Sequence, residues 1–430
     1  MCYHQVMPGR VLPIAALLFF LFFAASGHTA GYTAGWVVDA ANGKPIPGAY
    51  VSGGGEMVLT DQKGAFLMTT QVTGLSVRAY GYLRAERSLP FGAPPTTIGL
   101  FPFTPKALYL TVYGIGSKVL RNAALKLIEE TELNALVIDV KGDRGIIPYK
   151  STIPLAAEIG AQKVITVRDL TGLVTSLKAK GIYAIARIVV FKDNPLAASK
   201  TALAIKTAGG AVWRDRENLA WVDPARAEAW DYNIAIAEEA ARAGFDEIQF
   251  DYVRFPDARG LQFSVANTEE NRTKAITGFL AEARRRLQRY NVFLAADVFG
   301  YVCWNLNDTL IGQKLEDLPP VLDYLCPMLY PSGFQYGIPG YRNPVAHPSE
   351  IISLSLRRAA ERTRLQPVRF RPWLQAFRDY AFDRRHFTGA EIRSQIDAAE
   401  RFGSDGWMLW NPHNVYSSDG LKPRKKEMQR

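Results

Sequence analysis

The sequence predicts an α/β chain: a (β/α)8 TIM barrel preceded by a small all-β sandwich and a signal peptide. Three observations carry the prediction. Across residues 106–418, eight short apolar runs alternate with stretches whose apolar residues recur at helical spacing, as a barrel of this length requires. Residues 35–103 show short apolar runs cut by turn signals at hairpin-like spacing. Residues 1–30 pass from basic to apolar to small residues, the succession of a targeting segment. A length of 430 residues excludes a single small module, and 48% hydrophobic with 21% charged residues excludes a disordered or collagen-like chain.

In the first segment Arg10 closes a short basic region, and 11–25 is apolar and ends in small residues. That run is shorter than the roughly 20 residues of a spanning helix. Cleavage is expected after Gly27 or near Ala30, with an uncleaved N-terminal anchor as the alternative. Either way the bulk of the chain is expected outside the cytoplasm, secreted, periplasmic or at the cell envelope. Membrane contact is expected only through such an anchor.

The all-β unit has its apolar runs at 35–38, 49–51, 65–68 and 75–78, separated by Asn42-Gly43, Gly53-Gly54-Gly55, Lys63-Gly64 and Thr73-Gly74. Val38-Asp39, Gly43-Lys44-Pro45-Ile46-Pro47-Gly48-Ala49, Thr60-Asp61-Gln62-Lys63-Gly64-Ala65-Phe66 and Ala79-Tyr80-Gly81-Tyr82 together resemble a carboxypeptidase regulatory-like (transthyretin-like) β-sandwich. The resemblance implies turn and core roles for these residues. It implies adhesion, spacing or weak glycan contact for the unit, and no chemistry. Pro94-Pro95 and prolines 102 and 105 mark the exit linker.

Barrel strands are expected at 108–112, 135–140, 183–190, 247–252, 293–298, 324–329, 370–375 and 406–410. Helices are expected at 119–133, 170–180, 226–243, 274–289, 351–363 and 389–402. A doubly wound open sheet is the competing fold, but it has fewer strands and a Gly-rich phosphate turn after the first. Gly114-Ile115-Gly116 lacks the third glycine and the acidic partner, and reads as a tight loop.

Of the net charge of +10, the last ten residues supply +4, with five basic side chains against Glu427, and Arg10 adds one more. The remainder is too dilute for a basic groove, so nucleic acid is set aside as a partner. Cys2 leaves with the signal. Cys303 and Cys326 then lie in an oxidising compartment, where a bridge is allowed but two buried free thiols are favoured. The five histidines, at 4, 28, 347, 386 and 413, are scattered, and neither a metal nor another cofactor is expected.

Functional residues of a barrel gather at the C-terminal ends of its strands. Three strand tips carry an aspartate: Asp139, Asp251 and Asp297. Alternation places Asp139 and Lys141 opposite Leu136, Ile138 and Val140, and turns Glu247, Gln249 and Asp251 to the axis while Ile248, Phe250 and Tyr252 pack outward. A lone strand-end aspartate more often caps a helix or pairs with an arginine, and Asp139 has Lys141, Asp143 and Arg144 close by for a local ion-pair loop. Asp251 stands out because its neighbours Glu247 and Gln249 are costly to bury unless they serve a hydrogen-bonded site. Arg187 is read as inward, to hold a carboxylate ionised or to contact substrate. Tyr330, Trp373, Gln375, Trp410 and Asn411 supply aromatic faces and amides suited to sugar rings. Tyr252, Arg254 and Lys141 complete the substrate-binding set.

Residues 108 to about 415 resemble the bacterial putative glycosyl hydrolase domain family, a domain of unknown function grouped with TIM-barrel glycosidases. Carrying the resemblance are Leu136-Val137-Ile138-Asp139-Val140-Lys141, Asp143-Arg144-Gly145, Ala186-Arg187-Ile188-Val189-Val190-Phe191-Lys192-Asp193, Trp221-Val222-Asp223-Pro224, Phe250-Asp251-Tyr252-Val253-Arg254-Phe255-Pro256, Ala296-Asp297-Val298-Phe299-Gly300 and Pro327-Met328-Leu329-Tyr330-Pro331-Ser332. The resemblance implies hydrolysis of a polysaccharide or oligosaccharide, with Asp251 as nucleophile and Asp297 as acid/base. Asp297 departs from the glutamate that many related barrels use. Two alternatives stay open: a non-catalytic carbohydrate-binding or cell-wall scaffold, and glycan deacetylation, which calls for a metal and a histidine pair that the sequence does not offer.

Overall fold

The protein is described here from a computed structural model covering residues 31–424, so the targeting segment at 1–30 and the last part of the basic tail lie outside the described residues. The N-terminal unit has two sheets. Ala65–Met68, Thr33–Asp39 and Thr96–Leu100 form one, in that order; Glu56–Leu59, Tyr50–Gly53, Gly74–Arg78 and Ala85–Ser88 form the other. Val37, Val51, Phe66, Met68, Val77 and Leu100 fill the space between them. Three strands escape the sequence reading. Glu56–Leu59 and Ala85–Ser88 are outer strands without a buried residue; Ala85–Ser88 has no apolar run, and Met57-Val58-Leu59 follows directly on the Gly53-Gly54-Gly55 turn signal. Thr96–Leu100 falls where the exit linker was expected; it pairs in parallel with Thr33–Asp39 immediately after Pro94-Pro95.

Eight parallel strands then close a barrel in chain order: strand 1 (Lys106–Leu110), 2 (Ala135–Lys141), 3 (Tyr183–Val189), 4 (Glu247–Asp251), 5 (Phe293–Phe299), 6 (Tyr324–Met328), 7 (Trp373–Gln375) and 8 (Trp407–Trp410), with 8 pairing 1. All eight lie where expected. Helices Lys118–Glu130, Leu170–Ala179, Ala227–Arg242, Glu269–Leu287, Pro348–Thr363 and Gly389–Phe402 build the outer layer. Their starts follow from capping: the Asp169 carboxylate accepts from Gly172 N, Thr268 Oγ1 from Asn271 N, and Thr388 with Glu391 forms a capping box. Gly114-Ile115-Gly116 is not a tight loop but the end of a short helix, Val112–Gly116, whose first turn Thr111 caps by accepting from Gly114 N at 2.9 Å.

Strand alternation produces two cores. Leu108, Leu136, Ile138, Ile188, Ile248 and Phe250 face the helices, whereas Tyr109, Val137, Ile185, Ala295, Cys326, Trp373 and Met408 fill the barrel. Cys303 and Cys326 are free and buried. Gln249 lies mid-barrel, its Nε2 3.2 Å from Cys326 Sγ and 3.4 Å from Met408 Sδ.

The sandwich sits against the N-terminal ends of the strands. Phe103 stacks on Tyr183 with centroids 5.4 Å apart, Tyr80 meets Tyr324 edge-on at 5.8 Å, and Arg84 donates to Asp246 at 3.1 Å and to Gly244 O at 3.0 Å. At this closed end Arg371 donates to Glu247 and, at 2.8 Å, to Asp405. Glu247 therefore points inward as expected, but it serves an arginine at the far end of the barrel. It begins the strand that Asp251 ends, roughly 13 Å away at about 3.3 Å per residue.

Candidate active site

At the opposite end, Arg187 organises the strand tips. Its Nη1 donates to Asp139 at 2.6 Å and to Tyr109 Oη at 3.3 Å. Nε and Nη2 both reach Asp251 Oδ2, at 3.0 and 2.5 Å, and Nη2 also bonds Asp143 at 2.9 Å. The guanidinium lies over the Trp410 ring, 4.9 Å from its centroid. Strands 2, 3 and 4 supply these groups at adjacent register positions, Arg187 being paired with both Asp139 and Gln249. One cation thus holds three carboxylates, and Arg187 itself is only 1% exposed.

Asp251 is saturated: Arg187 takes one oxygen and the Tyr252 backbone N–H donates to the other at 2.5 Å. Asp297 follows Ala296, the partner of Phe250, so the two aspartates stand side by side on strands 4 and 5. Asp297 differs in its bonding. Oδ1 accepts from Trp373 Nε1 at 2.7 Å, and Oδ2 has no partner. Burial, and after it the charge of Asp251, holds the Asp297 carboxyl well above the usual carboxylate range, despite the opposing pull of Arg187. Arg187 clamps one carboxylate, while burial favours the protonated form of its neighbour.

Both border a cavity of about 560 Å³, which Tyr252, Arg254, Tyr330, Trp373, Trp410 and Asn411 also line. Asp139 is brought to the cluster but lies behind Arg187, with its second oxygen accepting from Tyr109 Oη at 2.7 Å. Burial pushes Asp139 up to about 7 even though Arg187 pulls it down.

Two expected residues are placed elsewhere. Lys141 is fully buried among the outer helices, with Nζ 2.6 Å from Asp193 and 2.7 Å from Asn233 Oδ1. The cause is a bulge: Arg187 faces Asp139, the next pair is Ile188 with Lys141, and Val140 is skipped. The extra residue reverses the alternation, which sends Lys141 away from the axis. Gln375 is buried, accepting from Ser332 N at 3.0 Å and donating to Ser332 Oγ at 2.7 Å, so it positions the loop after strand 6.

The cavity also takes Phe299, Phe334, Phe377, Arg378, Tyr380 and His413, none of which the sequence reading singled out. Most belong to loops beyond the tips, where no periodicity marks a side chain. A readable signal existed for Phe377 and Arg378, which directly follow the strand 7 tip. Tyr109 was readable by alternation on strand 1. Among the described residues, no three His, Cys, Asp or Glu side chains gather as metal ligands.

A family model described as "Putative glycosyl hydrolase domain" matches residues 107–416. A hypothetical protein from Ruminiclostridium thermocellum is 41% identical over 44% of this chain and 97% of its own, with a TM-score of 0.40. The PgaB (BpsB) glycoside hydrolase domain from Bordetella bronchiseptica matches 73% of this chain and 95% of its own at 13% identity, with a TM-score of 0.53, which is a likeness of fold. A class V chitinase from Nicotiana tobaccum covers 73% and 96% at 11% identity, with a TM-score of 0.43. No curated protein matches the chain.

Proposed function

This chain belongs to the family described as "Putative glycosyl hydrolase domain", and from that footing we propose that it cleaves a glycosidic bond of an extracytoplasmic polysaccharide, with Asp297 as acid and Asp251 as the carboxylate beside it. The supporting observation is the unequal pair: a carboxyl with one partnerless oxygen beside a carboxylate clamped by Arg187, both on one cavity. Asp297 gives its proton to the glycosidic oxygen as the bond to the anomeric carbon breaks. Asp251 faces the positive charge that develops on that carbon. Water then supplies the new hydroxyl to the sugar and returns a proton to Asp297. Tyr330 and Trp410, partly exposed in the cavity lining, are the aromatic rings a sugar would meet, and the basic-apolar leader at 1–30 supports the location outside the cytoplasm.

One observation favours the non-catalytic binding reading: both oxygens of Asp251 already have partners. Reducing-end release from a panel of polysaccharides, with Asp251→Asn and Asp297→Asn as controls, separates the two. Release by the wild type that both variants abolish supports hydrolysis. Binding by all three without release overturns it.

A further inference from the structure

The strand 4 tip carries a cation that the proton transfer does not use. The side chain of Arg254 is half-buried and lines the cavity, its guanidinium 5.1 Å from the centroid of the Trp221 ring and 5.1 Å from that of Tyr252. Those two rings meet edge-to-face at 5.5 Å, so the arginine sits in an aromatic corner that sets its direction. Nη1 donates to the neighbouring Phe255 carbonyl at 3.0 Å. Among the described residues Arg254 forms no ion pair, which leaves the Nε and Nη2 edge, a fork matched to two anionic oxygens, without a partner. Tyr252, which forms half of the corner, is held at φ 48°, a left-handed conformation strained for a non-glycine residue. Across the cavity Arg378 is also free of carboxylates; its Nε donates to the Arg384 carbonyl at 2.7 Å.

The charge balance points the same way. Arg187 is consumed by Asp139, Asp143 and Asp251, so the cations the cavity can offer a ligand are Arg254 and Arg378. Resting on the hydrolase reading for the cavity itself, we propose that the glycan bound here is acidic, with Arg254 gripping a carboxylate or sulfate on a sugar ring beside the scissile bond. Arg254 is then a specificity-determining residue, and Arg378 steers the same charge from the rim.

The test uses the Asp297→Asn protein, so that binding is read without turnover and Arg187 keeps its carboxylates. Polygalacturonate and alginate are compared with their carboxyl-reduced forms, and chondroitin sulfate with chondroitin, by calorimetry at two salt concentrations. At least one acidic polymer is expected to bind about tenfold or more tightly than its neutral or desulfated counterpart. Arg254→Met is expected to erase that difference while leaving affinity for the neutral form within about twofold. Arg254→Lys keeps the charge but not the fork and falls between, and Arg378→Ala weakens only the salt-sensitive part. Preference for unreduced over carboxyl-reduced polymer identifies carboxylate as the group; preference for chondroitin sulfate over chondroitin identifies sulfate. Equal affinity across each pair, affinity for no acidic member, or an equal loss on neutral polymers in Arg254→Met overturns the assignment. Acidic preference without any wild-type cleavage leaves this inference standing and sinks the hydrolase reading.

Discussion

The two ends of the barrel are built on the same chemistry and do different things. At each end a buried arginine holds several carboxylates: Arg371 with Glu247 and Asp405 at the closed end, Arg187 with Asp139, Asp143 and Asp251 at the open one. Each is also packed on an aromatic ring, Tyr324 and Trp410 respectively. Even partnerless carboxyl oxygens occur at both, on Glu247 and Asp405 as well as on Asp297. The difference is what lies beside them. The sandwich residues Tyr80 and Phe103 cover the closed end, while the open end keeps a cavity bordered by one paired and one unpaired aspartate. A buried ionic cluster is therefore not a mark of function; what sets the open end apart is that its partnerless acid belongs to the lining of a cavity.

The sharpest way to break this comparison is at Asp297. Asp297→Asn keeps an acceptor for Trp373 Nε1 but cannot give a proton. Turnover is expected to fall by about 10²–10⁴-fold with little change in Tm. Because burial raises the Asp297 pKa, the wild type keeps its acid protonated well above the usual carboxyl range. Its rate is expected to fall with rising pH only through that raised value, as a pH–rate profile of kcat/KM reports. A rate that survives the substitution removes Asp297 from the chemistry.

Arg371→Met probes the other end. It strands Glu247 in a sealed interior, and breaking such a pair costs about 3–5 kcal/mol. Denaturant unfolding should show that loss, while kcat/KM per folded molecule stays at the wild-type value. A selective loss of activity at full stability would erase the distinction between the ends.

How much of this was legible follows the same division. Strand positions were readable because both faces of a barrel strand are buried, and the inward direction of Asp251 and Asp297 followed from alternation. The partner of Glu247 was not readable: Arg371 precedes strand 7, and only closure of the barrel brings it across. Lys141 was misplaced because a bulge leaves no trace in composition, and one skipped residue moves a side chain from the axis to the helix layer. Tyr380, unlike Phe377 and Arg378 near the strand 7 tip, lies in a loop whose path depends on Asp379, which accepts from Ser332 Oγ at 2.7 Å and from the backbone of Phe382 at 2.9 Å. Local sequence holds no record of that contact.

Asp139 sharpens the comparison through pH. Its pKa in the folded chain is raised to about 7, above the ordinary unfolded value. The folded state thus holds the extra proton, and the stabilisation is complete below the unfolded pKa and lost as pH rises through about 7. The wild-type Tm is expected to decline between about pH 4 and pH 7, and Asp139→Asn to flatten that slope. An unchanged slope would show that Arg187 keeps Asp139 ionised throughout.

The smallest effect is expected where the sandwich meets the barrel. Arg84 donates to Asp246, to Gly244 O and, at 3.1 Å, to Asn291 O, which ties the sandwich to the turns before strands 4 and 5. Its removal differs from that of Arg371 in what is left behind. Asp246 keeps Lys178 Nζ at 3.2 Å and the Ala184 N–H at 3.0 Å, so no carboxylate is stranded. Arg84→Met is therefore expected to cost only about 1 kcal/mol, the net value of ordinary hydrogen bonds exchanged with water. Turnover should not change, because the contact lies at the end of the barrel away from the cavity. A measurable drop in kcat would mean that the sandwich reaches the chemistry through the barrel, and that the closed end is more than a support.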